Sequence, residues 1–185
     1  MFEEIDEFEQ LEYFRLAYRQ VTGQLLKRVR KSERPDFICK RPDSSLVGIE
    51  FTLITRDPES SSWDSILDGI EFMDGLDGRE IVIEAISRKG AKLKEKNPDA
   101  PDWQFPNSSI LVLSTPDCPI SELEKFLDEG SLEELKETCQ QSGFSEIWIA
   151  DHTEVDAYSS IELFGLFPAE YFGHHPNYSR GKPYG

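Results

Sequence analysis

Apolar residues recur along this chain with two periods, and the changes of period divide it into helices and strands. From Ile5 to about Arg30, the residues Phe8, Leu11, Phe14, Tyr18, Val21 and Leu25 return at three- and four-residue steps, which predicts one amphipathic helix. Phe37 to Lys40 and Leu46 to Ile54 have strand character, and the turn-rich bridge Arg41 to Ser45 predicts that they pair antiparallel. Side chains alternate along a strand, so Val47, Ile49, Phe51 and Leu53 share one face and Gly48, Glu50, Thr52 and Ile54 the other. Ile81 to Lys96 returns to the helical period, with Val82, Ala85, Ile86 and Leu93 in one stripe and Lys89 in its middle.

Further on, the continuous apolar run Ile110 to Leu113 predicts a buried central strand. Ser121 to Gln141 reads as one helix, or two broken at Gly130. Ser121 with Glu124 and Ser131 with Glu134 have capping-box spacing, and Gly143 supplies a stop. Phe144 to Ala150 is the next strand, and Ile161 to Phe167 an edge strand that closes the sheet. The order αββαβαββ predicts an α/β single domain with a mixed central sheet flanked by helices, its later strands parallel and joined by crossovers. The domain is expected over residues 1–167. A tail from Pro168 to Gly185, surface-docked or flexible, carries the adjacent His174 and His175, which would point opposite ways in an extended segment and so chelate one metal poorly. Two loops interrupt the pattern. Thr55 to Gly78 is long and acidic and reads as a lid or an insertion, with a short helix over Ser65 to Met73. Asn97 to Ser108 carries Trp103 and Phe105, as anchors to the core more than as stacking platforms.

Composition sets the class. A chain of 185 residues with 38% hydrophobic residues and a mean hydropathy of -0.50 is expected to be a soluble globular protein, with no membrane span. The acidic start, MFEEIDEFEQ, lacks a signal-peptide pattern, so a cytoplasmic location is expected. Cys39, Cys118 and Cys139 are odd in number and widely spaced, which predicts reduced, buried thiols. The charge is less accommodating: 36 acids against 20 bases give a net charge of -16, which disfavours broad contact with a polyanion. Nucleic-acid binding would then need a local basic patch. The candidates are Lys27, Arg28, Arg30, Lys31 and Arg34, and the run Arg88 to Lys96, each of which also reads as a solvated face balancing nearby acids.

The chemistry gathers around Asp36, Glu50 and Lys89. Glu50 points away from the Val47 face and can sit beside Asp36, where two anionic oxygens suit a hard divalent cation such as magnesium. Lys89 on an apolar stripe must snorkel out or find an anionic partner, and carboxylates of the adjacent strands would supply one. His152, next to Asp151, reads as a solvent-facing turn residue with a lesser claim as a general base. Phosphate loops, nucleophile elbows and HExxH motifs do not occur in the sequence.

With Pro35 and Asp36 as a PD element, Glu50 as the acid of the next strand and Lys89 on the following helix, the chain resembles the PD-(D/E)XK nuclease superfamily. The likeness covers about the first two thirds of the chain and rests on a short motif. Where that family usually has a lysine two residues after the glutamate, this chain has Thr52; some members carry the lysine on the next helix, a role that falls here to Lys89. The resemblance implies a restriction-endonuclease-like αββαβ core with an additional helix and C-terminal strands. It implies magnesium or manganese held by Asp36 and Glu50, with Glu7 of the first helix as a third metal residue, ahead of Glu4 and Glu12. An acid at a helix start favoured by the dipole is the plainer account of Glu7. Catalysis would fall to Asp36, Glu50 and Lys89, and substrate binding to Thr52, Arg88 and Lys92. Two functions follow, a metal-dependent nuclease acting on DNA or RNA, or a nuclease-like fold without chemistry whose acidic surface engages a basic protein partner. Thr52 and the charge favour the second; Lys89 favours the first.

Overall fold

The structure is a computed structural model that describes residues 6–54, 75–116, 118–124, 127 and 129–177. The first helix, α1 (Glu7–Thr22), starts where the Asp6 carboxylate accepts the Phe8 N–H at 3.1 Å and stops at Gly23, whose φ of 76° is left-handed. The helix expected to run to about Arg30 therefore ends early. Lys27–Lys31 instead form strand β1, because the apolar stripe stops at Leu25 and, once the chain has turned at Gly23, β2 (Phe37–Lys40) offers them a ladder.

β3 (Leu46–Leu53) pairs antiparallel with β2 as expected, and α2 (Gly75–Lys94) then carries the chain to β4 (Ser109–Thr115), parallel to β3. Two helices follow, α3 (Ile120–Glu124) and α4 (Glu129–Ser142), before β5 (Glu146–Asp151), parallel to β4. The break precedes Gly130, and neither Ser121 nor Ser131 is a cap, since both lie inside helices. The Ile120 N–H is met instead by the Asp151 carboxylate at 3.0 Å, a long-range partner that local spacing cannot reveal. Gly143 does end α4, with φ 90°. After the short helix α5 (Val155–Tyr158) come β6 (Glu162–Phe167), a 3-10 turn Ala169–Tyr171 and β7 (Gly173–His175).

Among the described residues seven strands lie side by side in chain order, antiparallel at both ends and parallel across β3, β4 and β5. This is a mixed α/β sheet in a single domain. β6 is not the edge expected of it, because the chain beyond Pro168 returns to add β7 outside it. Gly165 permits the return: a Cβ there would meet the Tyr171 carbonyl oxygen at 2.0 Å. His174 and His175 do diverge, the first to Glu162 at 3.0 Å and the second to the Tyr171 carbonyl at 2.8 Å.

Each sheet face has its own core. α1 covers one, where Phe14, Tyr18, Phe37, Ile49, Val112 and Trp148 are fully buried. α2 and α4 cover the other, over Leu111, Leu113, Ile147 and Ile149. Ile49 and Ile54 fall in opposite cores, as their alternation along β3 predicts. Trp103 anchors its loop, buried and donating to Ser109 Oγ at 3.1 Å, while Phe105 stays partly exposed. The three cysteines are buried and none is in a disulfide among the described residues. Among the described residues no helix is long and apolar enough to cross a membrane. Of the segment Thr55 to Gly78, read as a lid or insertion, residues 55–74, and with them the helix expected over Ser65 to Met73, lie outside the described residues, while Gly75 to Gly78 belong to α2 and not to a loop.

Candidate active site

Asp36 and Glu50 meet because β2 and β3 pair in one register. Phe37 lies opposite Ile49, so the residue before Phe37 falls beside the residue after Ile49. Backbone groups lock the pair. The Asp36 N–H donates to Glu50 Oε2 at 3.1 Å, and the Phe51 N–H donates to Asp36 Oδ2 at 2.8 Å. From α2, Lys89 donates to Glu50 Oε1 at 2.8 Å. Val82, Ala85, Ile86 and Leu93 bury their stripe against the sheet, and that packing holds the Lys89 ammonium at this point. The carboxylate partner expected for it on the adjacent strands is Glu50.

Gly48 was not singled out by its chemistry, yet it fixes the geometry. A Cβ on it would meet the Pro35 ring at 2.4 Å and Ser109 Oγ at 2.7 Å, so only glycine lets Pro35 lie on β3 and present Asp36. The sequence signal was a glycine inside a strand, which marks close approach of another backbone. Downstream, the loop before β4 braces the same segment, since the Gln104 N–H donates to the Arg34 carbonyl at 2.9 Å.

The site's electrostatics are poised between protonation and cation binding. Burial raises the Asp36 carboxyl above its ordinary value, against the Phe51 N–H and the charges of Lys89 and Lys31, which lower it. Burial also raises Glu50, as does the neighbouring Asp36 charge, while Lys89 lowers it. Two carboxylates thus share the partly buried Lys89 ammonium, which touches Glu50. With both ionised the group carries a net negative charge in a poorly hydrated place, and a proton or a second cation relieves it. Oxygen donors on the buried Glu50 and the partly buried Asp36 suit a hard divalent ion, which commonly takes one or two carboxylates and completes its shell with water and phosphate. Asp36 and Glu50 would hold it.

The other predicted residues lie apart from this group. Thr52 is buried two residues beyond Glu50 on the same face and brings no charge, so the cation at Glu50 comes from α2. Arg88 and Lys92 are exposed on α2 and make none of the pair's hydrogen bonds. The half-exposed Glu7 pairs with Lys31, not with Asp36 or Glu50. No group of three or more His, Cys, Asp or Glu side chains placed to hold a metal occurs among the described residues. Glu4 lies outside the described residues, and Glu12 pairs with Arg15. His152 does not face solvent as expected: it is 3% exposed, with its ring edge-on to Tyr13 at 6.3 Å. Helix α1 closes over it, an effect of packing that a turn-like local sequence cannot show.

No protein-family model, no curated protein and no solved structure matches this chain.

Proposed function

We propose that this chain is a magnesium- or manganese-dependent nuclease of the PD-(D/E)XK type, hydrolysing phosphodiester bonds of DNA or RNA. The observation that carries this is the partly buried ion pair of Lys89 with the buried Glu50, with Asp36 locked beside it through the backbone of β3. A partly buried lysine paired to one of two adjoining carboxylates is expensive as a stability device, since an apolar trio of similar volume would serve as well or better. Asp36 and Glu50 would hold the divalent ion, which when bound polarises the phosphate and acidifies water. Lys89 sits within reach of the same place, and its ammonium would orient the attacking water or stabilise charge developing on a phosphate oxygen. Catalysis then asks no more of Thr52 than space.

Titration calorimetry with manganese tests this without a guess about substrate. The wild type should bind, and Asp36→Ala and Glu50→Ala should each abolish binding. Affinity should fall as pH drops through the raised carboxyl values, because protons then compete for the same oxygens. Lys89→Met should keep metal binding but lose cleavage of nucleic-acid substrates by at least about a hundredfold, a typical loss for one electrostatic group at a transition state. A wild type that folds but binds no manganese would sink the proposal. The second reading, an acidic module for a basic protein partner, is favoured by Thr52 and the net charge of -16, and would then lead.

A further inference from the structure

β1 is the edge of the sheet, and it is chemically unlike the rest of the molecule. Its sequence is Lys27-Arg28-Val29-Arg30-Lys31, and all of it is exposed. Charged residues on a sheet edge can simply guard against aggregation, but one or two suffice for that, and nothing requires a sign opposite to the chain's -16. The bulge in the β1–β2 register sorts the cations. Because Val29 is left over between Arg28 and Arg30, Arg28 and Lys31 come to lie on the α1 side, over the Phe8 ring at 5.0 and 5.6 Å. Arg30 reaches the other way, to the Gln104 carboxamide of the loop that braces Arg34. Phe8 remains 39% exposed between these cations. The row also has a direction. Where β1 ends, the Ser32 N–H donates to the Asp36 carbonyl at 2.8 Å, and the Lys31 charge is felt by the Asp36 carboxyl.

We infer that the β1 edge is the surface around which a single-stranded nucleic-acid backbone is led to Asp36 and Glu50, with Phe8 against a base and Arg28 on a phosphate on the α1 side, and Lys27 and Arg30 on phosphates on the side of Glu50. The choice of substrate rests on the nuclease reading; the surface itself rests on charge, exposure and position. A strand of five residues extends about 16 Å, enough for a few nucleotides, and a cationic track with an aromatic platform suits unpaired bases better than a closed duplex. Lys31 contributes less, being shared with Glu7.

The test is fluorescence anisotropy of a labelled oligothymidylate of roughly twelve nucleotides, without divalent metal so that cleavage cannot interfere. Wild type should bind with a log–log salt slope of about -2, the value for three phosphates neutralised on a single strand. Arg28→Glu with Arg30→Glu should weaken binding by at least about tenfold and flatten the slope by about 1.4. Arg28→Gln with Arg30→Gln, a milder pair on exposed positions, should do the same in smaller measure should the reversal disturb folding. If manganese binding fails while this pattern holds, the nuclease reading falls and the surface stands. Unchanged binding in both double variants overturns the surface, as does wild-type binding no tighter than that of polyglutamate. Duplex bound as tightly as the single strand overturns the choice of substrate.

Discussion

At the scale of single residues, burial decides which titratable groups matter. His152 is packed beneath α1 with neither ring nitrogen hydrogen-bonded among the described residues, and desolvation lowers its pKa to about 4. The group is neutral in the folded protein where an unfolded chain would already be protonated, so its contribution is present above pH 6.5 and is lost as pH falls toward 4. The loss is up to about 3 kcal/mol. His152→Leu should flatten the pH dependence of denaturant midpoints across that window, with little change at neutral pH. An unaltered acid limb would mean that other groups govern it. Asp36 and Glu50 act in the opposite sense: their raised values favour the protonated fold, and their contribution declines as pH rises through them. Of these residues, Asp36, Glu50 and Lys89 were legible in the sequence, because each breaks an apolar pattern or follows a proline. His152 was misread as exposed, since its burial comes from α1, more than a hundred residues earlier in the chain.

Among elements, the β2–β3 hairpin is what turns sequence into site. Its register puts Asp36 beside Glu50, and Gly48 provides the groove in which Pro35 rests. Gly48→Ala should destabilise the protein by about 1 to 3 kcal/mol, since a proline ring cannot swing aside as a flexible side-chain end would. Manganese affinity should fall with it, because Asp36 is carried on the displaced residue's neighbour. Calorimetry on the folded variant checks both; wild-type affinity would show that Asp36 is held by the hydrogen bond from Phe51 alone. The hairpin was predicted because it is local. β1 and β7 were not, since a short strand at a sheet edge forms from the ladder its neighbour offers, and the basic segment Lys27–Lys31 has no periodicity of its own.

For the whole molecule, charge is the controlling quantity. At -16 the fold works against its own repulsion, which counterions screen within about 10 Å at 0.1 M salt. Raising sodium chloride from about 20 to 300 mM should therefore raise the melting temperature, in contrast to its effect on oligonucleotide binding at β1, which should weaken. A melting temperature that falls with salt would indicate that favourable ion pairs outweigh the repulsion. The sequence by itself determined the α/β class, the central strands, the antiparallel hairpin and the three residues of the candidate site, because these rest on periodicity and on polar groups set in apolar runs. Only the tertiary structure decided the order of seven strands, the end of α1 at Gly23, the burial of His152 and the meeting of Lys89 with Glu50. Those depend on which surfaces come together across long separations in the chain, a matter of packing that local preferences leave open.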